Sequence, residues 1–157
     1  YMEVIVKRTG EMVFLSIIEN EKISFIALIE PQIPINVKTN IGIKKSIVST
    51  ASGRVILAFQ SQKIIKNIIQ KSEYNDDDLK ALNLELKKIR RKGFAVYHGD
   101  IHEENISLAV PVSNNMGEVV CAIGVEGSEK RIRPNLKSIS GLLLNTAAKI
   151  SDQFDFQ

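Results

Sequence analysis

The stretch S-L-A-V-P-V-S-N-N-M-G-E-V-V-C-A-I-G-V-E, Ser107 to Glu126, decides how this chain folds. Two apolar runs, Ser107 to Val112 and Glu118 to Glu126, flank the turn signal N-N-M-G and read as a hairpin. The apolar content of both runs places this hairpin at the centre of a sheet that is covered on both sides.

Upstream, E-M-V-F-L-S-I-I-E (Glu11 to Glu19) and K-I-S-F-I-A-L-I-E (Lys22 to Glu30) form a second expected hairpin, turning at Asn20 and Glu21. P-Q-I-P-I-N-V follows, in which prolines break the ladder and Ile35 and Val37 alternate inward as a short strand. S-T-A-S-G-R-V-I-L-A-F (Ser49 to Phe59) then opens a helix. Thr50 or Ser49 caps it, its first turn is small (Ala51, Ser52, Gly53), and its body is apolar. A helix runs from Ser61 through Ile65 and Ile69, and another from Asp76 to Lys92 with Leu79, Leu82, Leu86 and Ile89 on one stripe. Gly93 ends it, Phe94 to Tyr97 is a short strand, and a last helix starts near Pro134 and buries Leu136, Ile139, Leu143, Ala147 and Ile150. Antiparallel pairs with helices between them indicate an α+β fold rather than a doubly wound parallel sheet.

With 157 residues, 44% of them hydrophobic and 25% charged, the chain fits one globular domain. No apolar run reaches the ~18 residues needed to cross a membrane, no leader is visible, and Cys121 is the only cysteine. A cytoplasmic, membrane-free protein with an inert core thiol is expected. The net charge of +3 is too small to mark a nucleic-acid binder. The basic run K-K-I-R-R-K (Lys87 to Lys92) closes a segment that begins D-D-D at Asp76, the distribution that a helix dipole favours. Phosphate-cradling glycine loops and the G-x-S-x-G elbow are missing. No cofactor and no enzymatic activity are expected.

One stretch resists that conclusion. Y-H-G-D-I-H-E-E-N, Tyr97 to Asn105, holds both histidines of the chain. On an extended strand His98, Asp100 and His102 share a face and form a possible metal triad, which leaves a metal-dependent hydrolase as the alternative. The simpler reading is a loop, because the segment has neither helical nor strand period.

T-G-E-M-V-F-L-S-I (Thr9 to Ile17), S-T-A-S-G-R-V-I-L-A-F, L-K-K-I-R-R-K-G-F-A-V (Leu86 to Val96) and the central hairpin follow one another across nearly the whole chain. Together they resemble the effector-binding domain of IclR-type transcription regulators. The resemblance implies a GAF- and profilin-like fold, a curved and mostly antiparallel sheet with helices on both sides. It implies residues 1–9 as the end of a linker helix and 10–157 as the effector-binding domain. It further implies a dimer or tetramer, and DNA binding only through an N-terminal winged helix-turn-helix absent from this chain.

The resemblance also implies a ligand pocket. Its walls are the strand with Ile35 and Val37, the helix start at Ala51, Ser52 and Gly53, the strand ending at Tyr97, and the central hairpin with Ser107, Gly124 and Glu126. Asn105 belongs to the loop that can close over the effector. A helix start of small residues presents backbone N–H groups to an anion, although such residues also serve close packing. Ser107 can hold a carboxylate or carbonyl. Glu126 either faces water at a strand end or points inward, where it disfavours an acidic ligand. A purely structural domain whose pocket is filled by its own side chains is the remaining reading.

Overall fold

The computed structural model describes residues 1–31 and 41–153, so the expected strand with Ile35 and Val37 lies outside the described residues. Helix α1 (Met2–Thr9) ends at Gly10, whose φ of 68° is the left-handed cap that glycine supplies most cheaply. Strands β1 (Met12–Glu19) and β2 (Lys22–Ile29) form the first hairpin. Its turn places Asn20 and Glu21 at φ of 51° and 61°, as a tight hairpin demands. A short β3 (Lys44–Ser46), which the sequence did not signal, pairs with the start of β2.

Helices α2 (Ala51–Ala58), α3 (Gln62–Gln70) and α4 (Asp76–Lys92) follow. Thr50 caps α2, Ser61 caps α3, and Asn75 with Asp78 makes a capping box for α4. The basic end of α4 stops at Gly93, φ 79°. Strand β4 is Ala95–His98, one residue later than expected. The central hairpin is β5 (Ile106–Ser113) and β6 (Val119–Gly127). A short α5 (Glu129–Ile132) and a 3-10 turn containing Pro134 precede α6 (Leu136–Gln153).

The sheet order is β3-β2-β1-β6-β5-β4, antiparallel throughout. The expected α+β architecture with helices on both sides is therefore present, and β5 and β6 lie near its centre with both faces buried. On one face Phe14, Ala95, Ala109 and Ala122 meet Val55, Ile65, Leu82, Leu86 and Ile89 from α2, α3 and α4. On the other, Val13, Leu108, Val110, Ile123 and Val125 meet Ile5 of α1 and Ile139, Leu143 and Ala147 of α6. Each large aliphatic side chain so buried contributes roughly 1.5–3 kcal/mol.

Every residue of α2 is buried. The sheet accommodates the helix because the positions beneath it are small: Ala95, Ala109, Ala122 and Gly124. A Cβ on Gly124 would lie 2.4 Å from the Phe14 ring, and one on Gly53 would lie 2.0 Å from the Ile47 carbonyl oxygen. Both glycines serve close packing, the alternative to ligand contact that small residues always carry. Gly53→Ala forces the new Cβ against the Ile47 backbone, and the expected result is a loss of ~3 kcal/mol or more in a urea titration.

Candidate functional site

A fully buried helix start raises a question of hydrogen bonding, because its first N–H groups have no partner within the helix. The Thr50 hydroxyl accepts from the Gly53 N–H at 3.0 Å. The N–H groups of Ala51 and Ser52 donate to the two carboxylate oxygens of Asp100, at 2.6 and 3.0 Å, and the Ser52 hydroxyl donates to the second oxygen at 2.6 Å. The anion expected at this helix start is thus a side chain of the protein itself.

Asp100 reaches α2 from the loop between β4 and β5. The loop is closed by the Gly99 N–H donating to the Asn105 carbonyl at 2.7 Å and by the Asn105 N–H donating to His102 at 3.1 Å. Only glycine fits at 99, since a Cβ there would lie 1.7 Å from the His102 carbonyl oxygen. Asn105 shapes this loop through its backbone.

The other side of the loop is held by Glu126. Its Oε2 accepts from the Ile101 N–H at 2.8 Å and from the Ser107 hydroxyl at 2.9 Å. Its Oε1 accepts from the His102 N–H at 2.7 Å and lies 2.8 Å from His102 Nδ1. The Ser107 hydroxyl also accepts from the Asp100 N–H at 2.9 Å, so Ser107 joins the two acids. Asp100 and Glu126 are each 1% exposed. Of the two expectations for Glu126 the structure has the inward one: the side chain is fully buried and engaged in holding the loop.

The remaining expected site residues scatter around this box. Ala51 and Ser52 line it, whereas Gly53 faces Ile47 and Gly124 faces Phe14. Ile35 and Val37 lie outside the described residues. Half-buried Tyr97 lies under Arg54, whose guanidinium carbon is 3.9 Å from the ring centroid. Arg54 itself is buried, donates from Nε to the Val48 carbonyl at 2.7 Å, and pairs with Glu85. Sequence reasoning missed Arg54, because nothing in A-S-G-R-V-I-L-A-F distinguishes an inward arginine from one that snorkels to water.

His98, Asp100 and His102 do not converge. His98 is exposed, Asp100 is spent on α2, and His102 is directed to Glu126. Among the described residues no three His, Cys, Asp or Glu side chains could hold a metal. The strand alternation behind the triad fails because the strand ends at His98 and Gly99 turns the chain. Cys121 is buried, and burial pushes its thiol up to about 11, as expected for an inert core residue. No helix among the described residues is long and apolar enough to cross a membrane.

The family described as bacterial transcriptional regulator IclR, C-terminal, matches residues 1–152. The HTH-type transcriptional regulator RhmR of Escherichia coli is 28% identical over 150 residues, covering 91% of this chain and 58% of that protein. The crystal structure of Thermotoga maritima IclR superposes with a TM-score of 0.86 at 27% identity, covering 99% of this chain and 66% of that one. The inducer-binding domain of PobR from Acinetobacter, solved as a double mutant with 3-hydroxybenzoic acid, shares the fold with a TM-score of 0.81 at 20% identity, covering 96% of this chain and 93% of that one. The chain spans about half the length of the curated relatives it matches, from 51% to 59%.

The box has a pH signature. Burial, opposed by the Ser52 and Ala51 hydrogen bonds and reinforced by Glu126, raises the Asp100 carboxyl from 3.8 to about 6. The folded protein therefore holds this proton more tightly than the unfolded chain does. The resulting stability is complete below pH 3.8 and lost as pH rises through 6, on the order of 3 kcal/mol across the window. Melting curves from pH 7 to pH 5 should show the first part of this gain in wild type, roughly 1 kcal/mol, and Asp100→Asn should lack it.

Proposed function

The chain belongs to the family of IclR-type bacterial transcriptional regulators, to which it matches through their C-terminal domain, and from this membership we propose that it senses a small-molecule effector in the box formed by Ala51, Ser52, Ser107, Glu126 and the 99–105 loop. The observation that carries the proposal is the convergence, deep between α2 and the sheet, of two helix-start N–H groups, two serine hydroxyls and a loop that is held by hydrogen bonds and by Ile101 packed against the core. Recognition of a small polar ligand uses a few convergent polar groups of this kind. The complex of PobR with 3-hydroxybenzoic acid supports ligand binding by this fold.

An effector can act on a distant reader only if it binds one arrangement better than another. The box has a short route to the N-terminal helix. Glu126 pairs across the sheet with Met12, and the next residue, Gly127, packs against Glu11. Buried Glu11 is gripped by Arg131 at 2.7 and 2.9 Å and stands directly after Gly10, the cap of α1. In the proposed mechanism, a ligand that moves the loop alters the Glu126 end of β6, hence the β1 start and the set of α1. Residues 1–9 then act as the end of a linker to a winged-helix DNA-binding domain, and contacts within a dimer or tetramer spread the change. The protein works as a binding module in the cytoplasm, without catalysis and without a membrane partner.

A second reading is a structural domain whose pocket is permanently filled, and the seating of Asp100 on α2 favours it. A thermal-shift screen against acids, amines, sugars and aromatics separates the two. A sensor gains roughly 2.7 kcal/mol at a ligand concentration of 100 Kd, and Ser107→Ala weakens that ligand ~10-fold or more. Absence of any stabilising metabolite supports the filled domain, and a metabolite that binds Ser107→Ala and wild type alike moves the sensing site out of the box.

A further inference from the structure

We propose that the groove between α3 and α4 is a docking surface for an acidic, amphipathic helical segment of a partner protein. The groove shares no residue with the box and the proposal does not depend on the effector reading.

The segment 71–75 joins the end of α3 to the start of α4, and Arg90, near the end of α4, returns to the Ala58 and Gln60 carbonyls just ahead of α3, so the two helices lie antiparallel. Between them is a concavity of about 410 Å³. Buried Ile65 and Leu86 form its floor, and Lys66, Lys87 and Arg90 line its basic side. Half-buried Leu79 lines it eight residues of α4 before Lys87, about 12 Å along the helix. The helix dipole accounts for the bases in the last turn of α4, but neither for Lys87 a turn earlier nor for Lys66, which lies ahead of the last turn of α3. Both lysines are exposed, and neither takes part in an ion pair among the described residues. Arg90 adds a cation fixed in place by the two carbonyls.

An apolar floor beneath a basic rim selects its occupant. A nucleic acid backbone neutralises the cations but leaves the floor uncovered, and a flat bilayer surface does not enter a concavity. A second copy of this chain would bring its own net charge of +3 to a basic rim. An amphipathic helix meets both features at once, with apolar side chains toward the floor and carboxylates on the rim. Dipoles set its direction. Acids are favoured in the first turn of a helix, so that turn lies over Lys66 and Lys87 and the segment runs antiparallel to α4. Apolar side chains about two turns later then reach Leu79.

The probe is an alanine-based peptide of about 16 residues, long enough to hold helix, with glutamates in its first two turns and leucines in its last two. Titrated into the protein at low salt, it should shift the amide resonances of Ile65, Lys66, Leu86 and Lys87 and leave those of Ala51, Ser52 and Ile101 in place. The same peptide with lysine for glutamate should bind at least ~10-fold more weakly, and alanine for leucine should also cost ~10-fold. Lys66→Glu combined with Lys87→Glu should reverse the charge preference. Both positions are exposed, so the variant keeps the wild-type melting temperature, which a thermal scan checks. Glutamate and lysine peptides that bind alike, a glutamate peptide that maps elsewhere, or leucines that contribute nothing would each overturn the proposal. Tighter binding of a short DNA duplex to the same residues would overturn it in favour of nucleic acid. A wild-type dimer in sedimentation that the double variant dissociates would overturn it in favour of a second copy.

Discussion

The start of α2 is buried on all sides, and its free N–H groups must be satisfied without water. An unsatisfied buried N–H costs about 1–3 kcal/mol, so the two at Ala51 and Ser52 would consume much of the stability of a domain this size. Asp100 supplies both acceptors. That requirement fixes the 99–105 loop, which must reach across the sheet. The loop in turn leaves the N–H groups of Ile101 and His102 to be accepted, and Glu126 accepts both. Helix, loop and strand are thereby tied by two carboxylates that accept from backbone N–H groups and serine hydroxyls, with His102 also in contact with Glu126.

Apolar contacts on the two faces of the sheet set the fold, and the hydrogen bonds of the box then fix how helix, loop and strand meet. The box also lies at the end of β6 that pairs with the beginning of β1, where Glu11 and Arg131 fasten the sheet to the chain leaving α1. Position and chemistry together make this part of the molecule suited to reporting occupancy.

Much of the architecture was legible because burial imposes periods on sequence. The apolar continuity of Ser107 to Val112 placed β5 at the centre, and Leu82, Leu86 and Ile89 marked the inner stripe of α4. Caps at Thr50 and Gly93 were equally explicit. Strand β3 was not, since K-K-S carries no strand pattern of its own and forms through pairing with β2. Ala51, Ser52 and Ser107 were expected to meet an effector and are bound here to Asp100 and Glu126, while Asp100 entered only as a member of a possible metal triad, because spacing along a chain says nothing of a turn at Gly99. Glu126 points inward, one of its two expected orientations, but its partners were hidden for the same reason. Its role depends on backbone N–H groups from a loop 24 residues away, which no local pattern encodes.

The measurement that bears most directly on the box as the site of sensing is an amide chemical-shift map of the protein with and without a stabilising metabolite. Binding there shifts the resonances of Ala51, Ser52, Ile101, His102 and Ser107, with smaller changes at Glu11 and Met12. A map confined to another concavity, such as the groove of about 410 Å³ between α3 and α4 lined by Ile65, Lys66, Leu86, Lys87 and Arg90, would contradict it.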